Sequence, residues 1–254
     1  MDIGAAHYNA LQVKAETKSS RYGIYALIGY TYSRNYDNGY GDGIGTSLGS
    51  TYFPLPGWQK LDWALSQVNL DNDFTASVVY QLPFGQGKHF GNDWSGPLNV
   101  ITGGWEVAVI QKITSGFPIF IVDSNNTSGV NFENNGSSLI RPEQTCSAKL
   151  SSPTIQGWFN TACFAQPSAK ELGNAGRTPA VGPDFVNTDF SLIKHFQLPR
   201  EGMGLDFRSE FFNLFNHPQF GLPNSDFNSP GNFGKISSTV NNARLIQFGL
   251  KFHF

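Results

Sequence analysis

Strict two-residue alternation, repeated in stretches of about ten residues, constrains this chain more than any other feature, because only β-strands sort side chains to two faces with that period. The first stretch is Tyr8–Thr17, where Leu11, Val13 and Ala15 alternate with Gln12, Lys14 and Glu16. The second is Tyr22–Ser33, with Ile24, Ala26, Ile28, Tyr30 and Tyr32 on one face and Gly29, Thr31 and Ser33 on the other. Asp73–Leu82 sets Phe74, Ala76, Val78, Tyr80 and Leu82 against Thr75, Ser77, Val79 and Gln81. A fourth begins at Trp105 with Val107 and Val109, and is open to extension past Gly116–Pro118 into Ile119–Val122. Thr188–Leu198 alternates less cleanly, because Ile193 and Lys194 fall on the wrong faces. Met203–Phe211 opposes Met203, Leu205, Phe207 and Phe211 to Asp206, Arg208 and Glu210, and Leu245–Phe254 completes the series. Long helical periodicity is almost absent.

The two faces differ in a way that water alone does not explain. Charged residues make up 14% of the chain, against roughly 25% in an ordinary soluble domain. Aromatic residues also reach 14%, with 22 phenylalanines. Low charge, many aromatics and abundant Asn, Ser, Gln and Thr suggest β-structure with a different solvent on each face. A helical membrane protein is excluded, since no stretch approaches the ~20 consecutive apolar residues of a spanning helix. A net charge of −2 leaves no basic footprint, so nucleic acid is not an expected partner.

The spacers carry the next constraint. Ser19-Ser20 reads as a tight turn, 83–103 as an intermediate connection and Pro199–Gly202 as a second tight turn, whereas 34–72, 123–185 and 214–243 are long. Shorter and longer connections thus alternate. In an up-and-down antiparallel sheet this puts the short turns at one end and the large loops at the other, as in outer-membrane barrels with short periplasmic turns and long extracellular loops. Strands near ten residues also match the ~9–11 that cross a bilayer at a tilt. Tyr30 and Tyr32, and Phe252 and Phe254, are placed to join interfacial aromatic girdles. The expected fold is all-β: an antiparallel up-and-down transmembrane β-barrel segment of about seven strands, an incomplete barrel with long extracellular loops. A soluble β-sandwich also alternates, but its strands average about five to six residues.

The last ten residues, LIQFGLKFHF, place Ile246, Phe248, Leu250, Phe252 and Phe254 at every second position. This resembles the C-terminal signature read by the barrel-assembly machinery of bacterial outer membranes. FRSEFFNLFNHPQFGLPN (Phe207–Asn224) and FGKISSTVNNARLIQFGLKFHF (Phe233–Phe254) resemble the end of the Oar-like TonB-dependent transporter barrels. HYNALQVK (His7–Lys14), YTYSRNYDNG (Tyr30–Gly39), YQLPFGQGK (Tyr80–Lys88), GGW (Gly103–Trp105) and SGFPIFI (Ser115–Ile121) fit the same family in order. So do WFNTACF (Trp158–Phe164), GNAGR (Gly173–Arg177) and NTDFSLIKHF (Asn187–Phe196).

The resemblance implies a plugged barrel of about 22 strands in the bacterial cell outer membrane. It implies energy-coupled uptake of a bulky substrate. The implied partners are outer-membrane lipid, the barrel-assembly machinery, and the TonB system acting through an N-terminal part. The start, MDIGAAHYNALQVKAETKSS, has neither a basic n-region nor an apolar h-region. Residues 1–254 are therefore expected to be the C-terminal part of the barrel, a fragment or truncated reading frame without plug and N-terminal domains, and not active alone. Two rival functions are a structural or adhesive outer-membrane barrel without active transport, and a soluble β-sandwich carbohydrate-binding module.

No catalytic, cofactor or metal site is expected. GYGDGIG (Gly39–Gly45) follows no parallel strand and opens no helix, so a flexible loop fits better than a phosphate loop. DSNNTSGVNFENNG (Asp123–Gly136) offers alternating oxygen ligands but lacks the Gly and terminal Glu of the EF-hand register. His7, His89, His195, His217 and His253 have no metal-ligand spacing. Asp206, Arg208 and Glu210 share a strand face and read as an ion-pair ladder on a watery inner wall, acid–base machinery of a soluble enzyme being the alternative. Cys146 and Cys163 fall in one long connection and are a disulfide candidate in an oxidising compartment, against two free thiols in a cytosolic protein.

Overall fold

The computed structural model describes residues 5–38, 59–125, 140–198 and 202–254. Seven long strands follow one another along the chain: β1 Ala6–Ser19, β2 Ile24–Asp37, β3 Asn72–Gln81, β4 Trp105–Thr114, β5 Phe185–Gln197, β6 Gly204–Phe212 and β7 Leu245–His253. Each pairs antiparallel with the next, so the sheet is a simple meander. A short strand, Ala64–Leu65, adds to β2 at Tyr36 and Asp37. Among the described residues β1 and β7 do not pair with each other, and the barrel is not closed.

The register converts the alternation into two continuous faces. Residues directly opposite one another in an antiparallel pair point the same way. On one face lie Lys14, Gly29, Thr75, Lys112 and Asn187. Asp206, Arg208 and Glu210 share it with His195, Ser191, Gln247 and Lys251. On the other face lie Val13, Tyr30, Phe74 and Ile113, and further along Leu205, Phe207, Leu250 and Phe252. A one-residue slip would exchange the faces wholesale, so the register is strongly specified.

Three expectations need correction. β2 does not stop at Ser33 but continues to Asp37, because the Ala64–Leu65 strand and β1 pair its extra rungs. The first reversal occupies Ser20–Gly23 rather than Ser19-Ser20, with Gly23 at φ +64°, a conformation that glycine adopts without strain. The fourth strand does not run on into Ile119–Val122. It ends at Thr114, and Pro118–Ile119 pairs with Ala180–Val181 outside the wall. Gly116 permits the close packing of the two segments there: a Cβ would lie 1.9 Å from the Gly182 carbonyl oxygen.

The connections 20–23, 82–104 and 198–203 sit at one end of the sheet, and 38–71, 115–184 and 213–244 at the other. Residues 199–201 and the Gly39–Gly45 run lie outside the described residues. The apolar core is not in the sheet. It lies among the long connections, where Ile119, Ile121, Ala148, Phe159, Cys163, Phe164, Ala175, Ala180 and Phe233 are buried together. We call this packed unit the crown. One helix, α1 Gly96–Thr102, lies in the 82–104 connection at the opposite end. Among the described residues no helix is long and apolar enough to cross a membrane.

Candidate functional site

The crown is knitted from two connections that are remote in sequence. The Trp158 amide donates to the Gly234 carbonyl at 2.8 Å, the Ile236 amide to Ile155 at 2.8 Å, and the Phe227 amide to Val122 at 2.8 Å. Around these bonds Phe159, Phe164 and Phe233 meet edge to face, with ring centroids 5.1–6.0 Å apart, the arrangement that aromatic quadrupoles favour. Glu143–Gln144 pairs with Phe164–Ala165 to close one side. Cys146 and Cys163 are joined in a disulfide here, with Cα atoms 4.9 Å apart.

Buried charges tie the crown to the wall. Arg141 pairs with Asp62 and donates from Nη1 to the Leu61 carbonyl at 2.8 Å. Burial pulls the Arg141 guanidinium down to about 10, against the opposing pull of Asp62, so it remains a cation at neutral pH. Arg177 pairs with Asp37, the last residue of β2, and donates to its carbonyl at 2.7 Å. Asp123 is fully buried and accepts from the Asn125 amide at 2.9 Å, from Gln166 Nε2 at 2.5 Å and from Asn228. Burial pushes its carboxyl above the ordinary carboxylate value even though these three bonds pull it down. No cluster of ligating residues fit for a metal occurs among the described residues. Most of the Asp123–Gly136 run, including Asn126 and Asn135, lies outside them.

A cavity of about 450 Å³ opens in the crown beside Lys149, Pro153, Trp158, Phe159 and Asp184. Trp158 is held there by its Nε1, which donates to the Val181 carbonyl at 2.9 Å.

The polar face of the wall carries paired charges. Asp206 lies 2.7 Å from His195 Nδ1 across the β5–β6 pair and 4.0 Å from His253 Nδ1 across the β6–β7 pair. Arg208 reaches Glu210 at 3.9 Å along the same strand. Further along the face Lys112 meets Asp73 at 2.5 Å and Thr75 at 3.3 Å. Asp206 is therefore positioned between two histidines rather than against Arg208. Sequence spacing carried no signal for this grouping, because His195 and His253 meet Asp206 only through strand register.

Ile246, Phe248, Leu250 and Phe252 line the apolar face of β7 and are exposed, while Phe254 lies just past the strand. Phe248 stacks on Phe207 of β6 with centroids 6.1 Å apart. The irregularity at Ile193 and Lys194 also has a local cause. Ile193 is buried on the polar face, and Lys194 points to the apolar face but is covered by the end of α1.

An antiparallel meander with paired charges on one face and an exposed apolar surface on the other is the wall of a transmembrane β-barrel, the apolar side turned to lipid. Residues 1–247 match a family model described as an outer membrane beta barrel domain, and the chain belongs to that family. Its place is the bacterial outer membrane. No curated protein and no solved structure matches the chain.

Proposed function

We propose that the chain is the C-terminal wall of a TonB-dependent, energy-coupled transporter that takes up a bulky substrate. The crown faces the outside of the cell and the short connections face the periplasm. The carrying observation is the open meander, whose edges at β1 and β7 have no strand partner among the described residues. Exposed backbone donors and acceptors at such edges are prohibitive in lipid. Further strands between β7 and β1 complete a barrel wide enough to hold a plug. The resemblance of Phe207–Asn224 and Phe233–Phe254 to Oar-like barrels supports the same reading. The role is non-enzymatic: the wall supplies a polar lumen surface and the crown contacts the substrate.

The test is in-cell crosslinking of the native outer-membrane protein to TonB, combined with accumulation of bulky nutrients with and without a protonophore. The expected result is a TonB crosslink and protonophore-sensitive accumulation that a gene deletion abolishes. An assembled barrel that neither crosslinks to TonB nor changes uptake overturns the reading in favour of a structural or adhesive barrel.

A further inference from the structure

The helix α1 leaves its apolar side chains uncovered. Leu98 is 50%, Val100 54% and Ile101 67% exposed. Its orientation is fixed rather than loose. Asn99 points inward and accepts from the Gln86 amide at 2.7 Å. The Thr102 hydroxyl donates to the Leu98 carbonyl at 2.7 Å. At the far end, Trp105 Nε1 donates to the Ile101 carbonyl at 2.9 Å, and Lys194 Nζ donates to the Gly103 carbonyl and, at 3.5 Å, to Ile101.

Those two anchors locate the helix. Trp105 and Lys194 are direct partners in the β4–β5 register, on the same face as Val107, Leu192 and Phe196. Lys194 Nζ sits 5.1 Å from the Trp105 ring and 5.2 Å from the Phe196 ring. The helix is thus attached to the lipid-facing side of the wall, at the edge where the short connections begin. Its exposed residues continue the apolar belt outward from that edge. At the same end Arg21 and Lys88 line a cleft of about 550 Å³ between the first reversal and the 82–104 connection.

From this geometry we propose that α1 is an interfacial foot, seated in the phospholipid headgroup layer at the short-connection end of the wall, with Leu98 and Ile101 reaching the acyl boundary. The proposal rests on the membrane-wall reading. The occupant is lipid because the apolar surface is continuous with the lipid-facing belt. Trp at a membrane boundary, an apolar body with a polar tip, fits the same depth. Arg21 and Lys88 complement anionic phosphates there, and apolar burial plus attraction to anionic lipid is how interfacial segments bind. The foot fixes how deep the wall sits.

The experiment uses the native protein, full chain, reconstituted in phosphatidylethanolamine–phosphatidylglycerol vesicles. Leu98→Cys, Ile101→Cys, Asp93→Cys and Phe248→Cys each receive a nitroxide without reductant. Collision with oxygen is compared with collision with a water-soluble nickel chelate. The expected oxygen-to-nickel ratio at positions 98 and 101 is several-fold higher than at 93 and approaches that at 248. A label at 248 in lipid with those at 98 and 101 in water overturns the foot alone. Labels at 98 and 101 shielded from both reagents overturn it in favour of a protein partner. A label at 248 in water overturns the membrane-wall reading and the foot with it.

Discussion

Arg141 and Asp62 form an ion pair from which water is excluded, with side chains 0% and 3% exposed. The two residues come from connections on either side of β3 and β4, so the pair links the crown to the chain beside β2. Burial of this kind costs each ion several kcal/mol of hydration, and the pair holds only while both members are present.

Removing one member should therefore be worse than removing both. Arg141→Met or Asp62→Ala is expected to destabilise the crown by about 3–5 kcal/mol, the usual cost of a stranded buried charge. A combined Arg141→Met/Asp62→Leu variant should recover much of that loss. Hydrogen exchange of crown amides such as Ile140 and Ala175 measures the difference, and heat-modifiable gel mobility checks that the wall still assembles.

Cys146→Ser tests the covalent closure of the same unit. The cysteines are 17 residues apart, and closing a loop of that size restricts the unfolded chain by roughly 3 kcal/mol in the entropy model. The variant should be cut faster by protease within the crown while its wall assembles normally. Equal cutting rates in the variant and the parent would remove the closure's stabilising role.

Asp123 should give the crown an inverted acid response. Its folded carboxyl titrates above the ordinary 3.8 because of burial. The folded crown then holds that proton more tightly than the unfolded chain does. Stability contributed by this group is full below the unfolded value and is lost as pH rises through the raised folded value. The protection factors of the Asp123 and Ile140 amides, which bond across to each other's carbonyls, should fall over that window once the intrinsic pH dependence of exchange is divided out. Asp123→Asn should flatten this component.

Face assignment predicts opposite outcomes for one substitution type. Val78→Arg places a charge on the lipid side, between Ala26 and Val109, and should cost about 2–4 kcal/mol if near the bilayer midplane. Ser191→Arg lies on the polar face opposite Glu210 and should be tolerated. Denaturant unfolding in vesicles compares the two.

Sidedness is measured in intact cells. Asn232→Cys in the crown should react with an impermeant maleimide, and Tyr22→Cys at the first reversal should not. Both positions are exposed, so reactivity reports the side of the membrane rather than burial.

What the sequence revealed follows from the range of the forces involved. Each wall strand was legible because alternation is a local property, and neither Val13 nor Phe248 needs a distant partner to declare its face. The ends were less legible, since β2 runs on to Asp37 only where β1 and Ala64–Leu65 pair with it. Lys194 looked misplaced because its cover is α1, whose short segment opens at Gly96-Pro97 and shows no long period. The crown was the least legible element. Ile119, Phe159 and Phe233 converge from separate connections, and no periodic pattern marks residues that meet only in the folded chain. Of the candidate residues, the Cys146 and Cys163 pair could be proposed from composition and compartment alone, whereas the grouping of Asp206 with His195 and His253 required the register.

The close-packed interior of this molecule lies in its connections rather than in its sheet. Connecting segments ordinarily absorb insertions and drift quickly, because they touch little else. Here that freedom is reversed. A Cβ at Gly173 would come within 2.0 Å of the Arg141 carbonyl oxygen, and Phe159 and Phe233 meet edge to face with ring centroids 5.1 Å apart. The lipid side of the wall, by contrast, meets a fluid that accepts almost any apolar shape. Variation among relatives should therefore be broad at positions such as Ala26, Val78 and Val109, restricted only to staying apolar. It should be narrow at the packed crown positions Gly173, Phe159 and Phe233, so that a connection, ordinarily the first part of a protein to drift, is here held fast by its own interior.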